Sequence, residues 1–294
     1  MGNSIFDETM VNMTWPEIEK AAEQEAIVLL PTGVIEEHGP HMGLGVDTLC
    51  SSLSSKQTKK NLEEKGVKAL IAPPYYWGIN NATGSFPGSF SVRKDTMKAV
   101  IYDILACLRR WGFKYVFNLN WHGDEDHIMA IVEAIREARV DTGFRAYAIL
   151  RALDVRRLRI TGEEPYILVQ QGGFPSGPPP KYFEIHAESF ETGLMAAYFP
   201  EHVDTALAKT LKSTDLTLKD LMVWRNGWDD AKKVTPLGYF GDPAGFDPEA
   251  ARAELEGYTR NLADLIVRFL RGEYKPPKMN AMLSSVTTAF KTSS

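Results

Sequence analysis

Four short apolar runs, alternating with segments of helical period, constrain this chain more than any other feature. They are Ala26 to Leu30, Val67 to Ala72, Lys114 to Asn118 and Arg145 to Leu150. Runs of this length, closed by Pro or Gly and lacking a polar alternation, mark strands covered on both faces. Between the first two runs, Asp47 to Lys65 begins acidic and stops at Gly66, as a helix does. Before the third, Met97, Val100, Ile101, Ile104, Leu105 and Leu108 recur at helical spacing up to Gly112, and after it Ile128, Ile131, Val132 and Ile135 share one face. Strands separated by amphipathic helices are joined by crossovers rather than hairpins, so the expected fold is α/β with a largely parallel sheet.

Further along, residues 161 to 183 hold Gly172-Gly173, Gly177 and Pro178-Pro179-Pro180, which predicts a long excursion from the core. A helix is expected from Glu188 to Tyr198, then a less regular region. A last helix is striped by Leu255, Tyr258, Leu262, Leu265, Ile266 and Phe269. No composition shift splits the chain, so a single domain is expected over 1–274, with a tail over 275–294.

Charge narrows the partners. Thirty-three Lys and Arg against 38 Asp and Glu leave a formal charge of -5, which supplies no basic field for nucleic acid or anionic lipid. No apolar stretch is long enough to span a membrane. Two cysteines, Cys50 and Cys107, are too few for a disulfide framework, and the N-terminus has no secretory pattern, so a cytoplasmic protein is expected.

Five of the six histidines, His38, His41, His122, His127 and His186, fall in three short segments that also carry carboxylates. The first segment, Thr32 to His41 with Asp47 beyond it, follows the first strand, where open α/β sheets place their ligands. Glu36 and His38, two residues apart in an extended stretch, point the same way. The second segment, Asn118 to His127, follows the third strand and repeats the His-x-acid pattern in His122 and Asp124. Imidazole with carboxylate and no cysteine suits zinc or manganese in a reactive rather than a structural site. Glu36, His38, Asp47, His122 and Asp124 are too many for one tetrahedral ion and suit two divalent ions sharing a carboxylate. Other roles compete: Asp124, Asp126 and Asp47 also suit the first turn of a helix, and His41 and His127 suit positions behind the ligands or in solvent. In the third segment, His186 precedes a helix that starts at Glu188 and carries Glu191; an imidazole there can move a proton near neutral pH.

These segments resemble the creatininase (creatinine amidohydrolase) family. The likeness runs through Leu30-Pro31-Thr32-Gly33, Glu36-x-His38-Gly39-Pro40-His41 and Leu44-Gly45-Val46-Asp47-Thr48. It continues in Phe86-Pro87-Gly88-Ser89, Asn120-x-His122-Gly123, His186-Ala187 with Glu191-Thr192, and Gly241-Asp242-Pro243, from about residue 26 to about 270. The resemblance implies a three-layer α/β/α fold, a homohexamer, and a binuclear zinc or manganese centre, with iron a further option, that hydrolyses C–N bonds. By position it puts Glu36 and His122 on one ion, His38 and Asp124 on the other, and Asp47 between them. It makes His186 the catalytic histidine and gives Glu191 a supporting role. Three departures stand out: Gly123 where creatininase has a tyrosine, Glu188 where Gly is usual, and Thr83 where many relatives carry His. Creatinine is for that reason not the favoured substrate.

The expected reaction is hydrolysis of a small cyclic amide or lactam by water activated between two cations, with His186 protonating the departing nitrogen. A formamide hydrolase or small peptidase would use the same machinery. A metal-stabilised binding protein without catalysis is the alternative of another class. Tyr75, Tyr76, Trp77, Trp121 and Phe174 are expected at or near the mouth, either to stack on a planar substrate or simply to pack.

Overall fold

A computed structural model describes residues 4–170 and 181–277. The sheet has five parallel strands: β1 (Ile27–Thr32), β2 (Ala69–Ile71), β3 (Tyr115–Asn120), β4 (Arg145–Arg151) and β5 (Ile167–Gln170), in the order β2-β1-β3-β4-β5. The helices are α1 (Trp15–Glu23), α2 (Val46–Glu64), α3 (Lys94–Arg110), α4 (Glu125–Thr142), α5 (Ala152–Arg157), α6 (Ser189–Tyr198), α7 (Thr205–Ala208), α8 (Leu218–Trp224), α9 (Trp228–Val234) and α10 (Pro248–Leu270).

Alternation along each strand splits the core into two layers. Val28, Leu30, Val116, Ala146, Ala148, Leu150 and Val169 face α3 and α4, meeting Met97, Ile101, Leu105, Ile128, Ile131 and Ile135. Ile27, Leu29, Phe117, Leu119, Tyr147, Ile149 and Leu168 face α2, α6 and α10, meeting Val46, Leu62, Leu194, Met195, Leu255 and Leu262. Both faces of the sheet are therefore covered, which is why its strands read as continuous apolar runs. Fully burying one such Leu, Ile or Phe stabilises the fold by about 1.5–3 kcal/mol.

The order of strands places the site. From β1 the chain crosses to β2 on one side, and β3 then pairs with β1 on the other, so the connections leaving β1 and β3 part at their carboxyl ends. That divergence opens a crevice between neighbouring strand ends. The two His-and-acid segments leave from those ends.

One expectation is corrected. Residues 161 to 183 are not wholly an excursion, because Ile167–Gln170 forms the buried edge strand β5 alongside β4. Four apolar-leaning residues between Pro165 and the glycine pair are too few to outweigh those turn signals in the sequence. Gly172, Gly173, Phe174, Gly177 and the proline triplet, together with the tail beyond residue 277, lie outside the described residues.

Candidate metal centre

Gly33 lets the chain turn immediately after β1: a Cβ there would sit 2.8 Å from the backbone carbon and oxygen of Asp47. The start of α2 is thus drawn against the strand end, and the Thr48 hydroxyl donates to the Val34 carbonyl at 2.9 Å. Asp47, in the first turn of α2, is buried and faces the loop rather than capping its helix; Gly45 holds the cap position.

Each inward histidine has its other nitrogen tied to a carbonyl. His38 Nδ1–H donates to Glu36 O at 3.2 Å, and His122 Nε2–H donates to Ile79 O at 2.9 Å. Those acceptors orient the rings so that His38 Nε2 and His122 Nδ1 point inward, each able to offer a lone pair to a cation or, without one, to carry a proton toward the carboxylates. His122 Nδ1 lies 3.0 Å from Glu36 Oε1 and 2.9 Å from Asp47 Oδ2. His38 Nε2 is buried without a hydrogen-bond partner, 3.6 Å from Asp47 Oδ1 and 3.8 Å from Glu191 Oε2. The His122 contacts are of hydrogen-bond length, whereas the two His38 spacings are long for hydrogen bonds and near the ~3.4 Å that separates neighbouring ligands around a tetrahedral ion at ~2.1 Å.

Among the described residues, three groups hold ligand atoms within 4.8 Å of one another: Glu36, Asp47 and His122; His38, Asp47 and Glu191; and Glu36, His38 and His186. The first two share Asp47. No lysine or arginine among the described residues stands within ion-pair distance of Glu36, Asp47 or Glu191. Burial alone would raise the pKa of Asp47, but the hydrogen bond from His122 and the charge of His122 and His38 hold it well below the usual carboxylate range. Burial likewise opposes a charged His122, and Glu36 and Asp47 overcome that to push it well above the ordinary imidazole value. A pocket that gathers buried carboxylates in this way calls for positive charge, and the donor set suits divalent zinc or manganese.

Asp124 is placed otherwise. Its two oxygens accept from the backbone N–H of His127 at 3.1 Å and of Asn81 at 3.0 Å, making it the N-cap of α4 and a tie to the 78–84 loop. Glu191, from α6, stands beside His38 instead. Its orientation depends on Ala187, whose φ of +52° is in the left-handed region and whose N–H donates to Glu191 Oε2 at 2.6 Å. Strain of this kind is retained where it positions a functional group. Glu188 caps α6 through the N–H groups of Phe190 and Glu191. Asp124→Ala is expected to cost about 0.5–2 kcal/mol of stability through the lost cap while metal content stays unchanged. Denaturant unfolding paired with metal analysis checks this, and loss of metal would restore Asp124 to the ligand set.

His186 donates Nε2–H to Glu37 O at 2.8 Å, with its ring centroid 4.4 Å from that of His38 and 6.0 Å from Trp224. Burial disfavours its charge, but Glu36 and then Glu37 raise its pKa to about 10. His41 and His127 are both buried, which removes the solvated role expected as one option. His41 bonds Thr192 Oγ1 at 2.8 Å and burial pulls it down to about 4. His127 bonds Asn120 Oδ1 at 3.1 Å and stacks edge-on against His122, and burial keeps it neutral.

Thr83 donates its hydroxyl to Glu36 Oε2. Gly123 has no heavy atom within 4 Å of where a Cβ would stand, so the space a larger side chain could use is open. Tyr75 is buried and bonded to the Trp77 carbonyl, while Trp77 is exposed and edge-on to Phe90. Trp121 packs between Phe190 and Tyr258.

The family model described as creatinine amidohydrolase matches residues 11–266. A creatinine amidohydrolase of Pseudomonas putida is 30% identical over 216 residues, covering 69% of this chain and 75% of that protein. A mycofactocin precursor peptide peptidase of Mycobacterium ulcerans is 25% identical over 236 residues, covering 78% and 76%. A 3-dehydro-scyllo-inosose hydrolase of Thermotoga maritima is 24% identical over 190 residues, covering 64% and 55%. Among solved structures, a mutant creatininase described as Zn-Zn type superposes with a TM-score of 0.61 at 25% identity, covering 94% of this chain and 100% of that one. A structure described as creatininase Mn gives 0.61 at 24%, covering 92% and 99%.

Proposed function

The chain belongs to the creatininase family of hydrolases, and from that premise we propose that it is a metal-dependent amidohydrolase cleaving a C–N bond of a small amide. The observation that carries this reading is the pair of donor trios joined at Asp47. Glu36, Asp47 and His122 would hold one divalent ion and His38, Asp47 and Glu191 the other, zinc or manganese in each. Bound there, the ions would acidify a water molecule and polarise the amide carbonyl.

The protein's own groups divide the remaining work. Asn120 fixes the turn that delivers His122, its amide donating to the His122 carbonyl at 2.6 Å. Thr83 holds the far oxygen of Glu36, so that carboxylate keeps one oxygen for the centre. His186, tied through Nε2 to the Glu37 carbonyl, has Nδ1 left to pass a proton to the departing nitrogen. The open volume at Gly123 supports a substrate range wider than one compact ring, and linear amides are proposed alongside lactams. That a relative is a peptide peptidase keeps peptide bonds within the range to be tested. A cytoplasmic homohexamer belongs to the same proposal.

Metal removal tests the reading directly. Purified protein is expected to carry up to two zinc or manganese ions per chain, and chelation should lower the unfolding free energy by about 4 kcal/mol if free ion stood near a thousand times its dissociation constant. An amide, lactam and dipeptide screen of the reloaded protein should find turnover. Metal-replete protein inactive on the whole screen would favour a metal-stabilised binding protein.

A further inference from the structure

One rim of the crevice carries positive charge that the centre does not use. In the register of β3 and β4, Asn118 stands opposite Ala148, and continuing that register past the end of β3 brings Trp121 level with Arg151 at the end of β4. Trp121 packs against Phe190 and Tyr258, and Phe190 immediately precedes Glu191. Arg151 thus ends β4 beside the residues that flank His122 and Glu191, one strand away from the centre.

Its guanidinium is held on one edge. Nε donates to Asp154 Oδ2 at 2.8 Å and Nη2 to Asp154 Oδ1 at 3.2 Å, while the side chain remains 45% exposed. Among the described residues, three of its five N–H groups are left over. Asp154 also takes Arg157 Nη2 at 3.1 Å, and Glu125, next to Asp124, lies 3.7 Å from Arg157 and pairs with Arg225. Three arginines against two carboxylates leave this chain of ion pairs, which ends at Arg151 on one side and Arg225 on the other, with an excess positive charge on a protein whose net charge is -5. An arginine fixed from behind by a buried carboxylate is pre-organised to take a second carboxylate through its free edge.

We propose that Arg151 is a specificity-determining residue that binds a carboxylate of the substrate, so that the substrates are amides or lactams of amino-acid type bearing a free acid. This rests on the amidohydrolase reading. It selects among substrates, because a neutral amide leaves the guanidinium edge without a partner.

The test compares acids with analogues lacking the acid: 5-oxoproline against 2-pyrrolidinone, and N-formylalanine against N-ethylformamide. The metal-loaded protein is expected to favour the acids by roughly tenfold or more in kcat/KM. Arg151→Gln should bring that preference close to one, mainly through KM, and Arg151→Lys should keep part of it. Equal use of acid and neutral analogue by the unaltered protein overturns the proposal. So does an Arg151→Gln variant that loses both substrates alike with a lowered Tm, since that is a structural role. If no amide is hydrolysed, the amidohydrolase reading fails on its own, and calorimetry with 5-oxoproline and 2-pyrrolidinone still decides Arg151. Acid-selective binding lost in Arg151→Gln supports it, and no selectivity overturns it.

Discussion

Asp47→Ala is expected to abolish metal retention and turnover together, with kcat/KM falling at least about a thousandfold, equivalent to about 4 kcal/mol of transition-state stabilisation. Asp47 is the only residue common to both donor trios built around the strand ends, and each of its oxygens faces a different histidine. In the proposed centre, removing it would take a ligand from both ions at once. It also leaves His38 Nε2 and His122 Nδ1 without their shared anion, which lowers the charge that draws cations into a buried pocket. Thr83→Ala offers the contrast: it removes only a hydroxyl that orients Glu36, so its effect should be nearer the 10–100-fold of a supporting group. Metal counting by mass spectrometry alongside steady-state kinetics checks the first result. An Asp47→Ala protein that still bound two ions would refute the shared-carboxylate arrangement.

The parts of the fold legible in sequence were those with a repeating signal. β1 to β4 were each a continuous apolar run, and α3, α4 and α10 each carried a stripe of one period over three turns or more. β5 has only four residues between turn formers, and α7, α8 and α9 are too short for a period to emerge. That Glu36, His38, Asp47 and His122 converge on one crevice was legible because strand ends and helix starts have fixed places in an open sheet. The position of Glu191 was not. It depends on how α6 lies across the crevice and on the backbone turn at Ala187, and neither leaves a spacing in the sequence. Asp124 differs: a His-x-acid pattern matches a ligand pair and a helix N-cap equally well, and the described structure shows the cap, in the hydrogen bonds from Asn81 and His127.

His186→Ala should keep its metal and lose turnover by roughly 10²–10⁴-fold, the range for a lost general acid. The reasoning starts from placement. His186 lies beside the centre, in a group with Glu36 and His38, yet its Nε2–H is committed to the Glu37 carbonyl and its ring packs against Trp224. Neither trio that contains Asp47 includes it, so ions should remain bound when it is removed. Glu36 and Glu37 raise its pKa, against burial, to about 10, so the protonated form prevails at neutral pH and a proton is at hand when nitrogen departs. Cations bound nearby oppose that charge and move its titration downward. The alkaline fall of kcat should therefore come from His186, begin below pH 10, and disappear in His186→Gln. The loss should be smaller for substrates with a readily departing amine, because they depend less on a donor. Equal loss across good and poor leaving groups would show that His186 positions the substrate instead, and loss of metal would place it among the ligands.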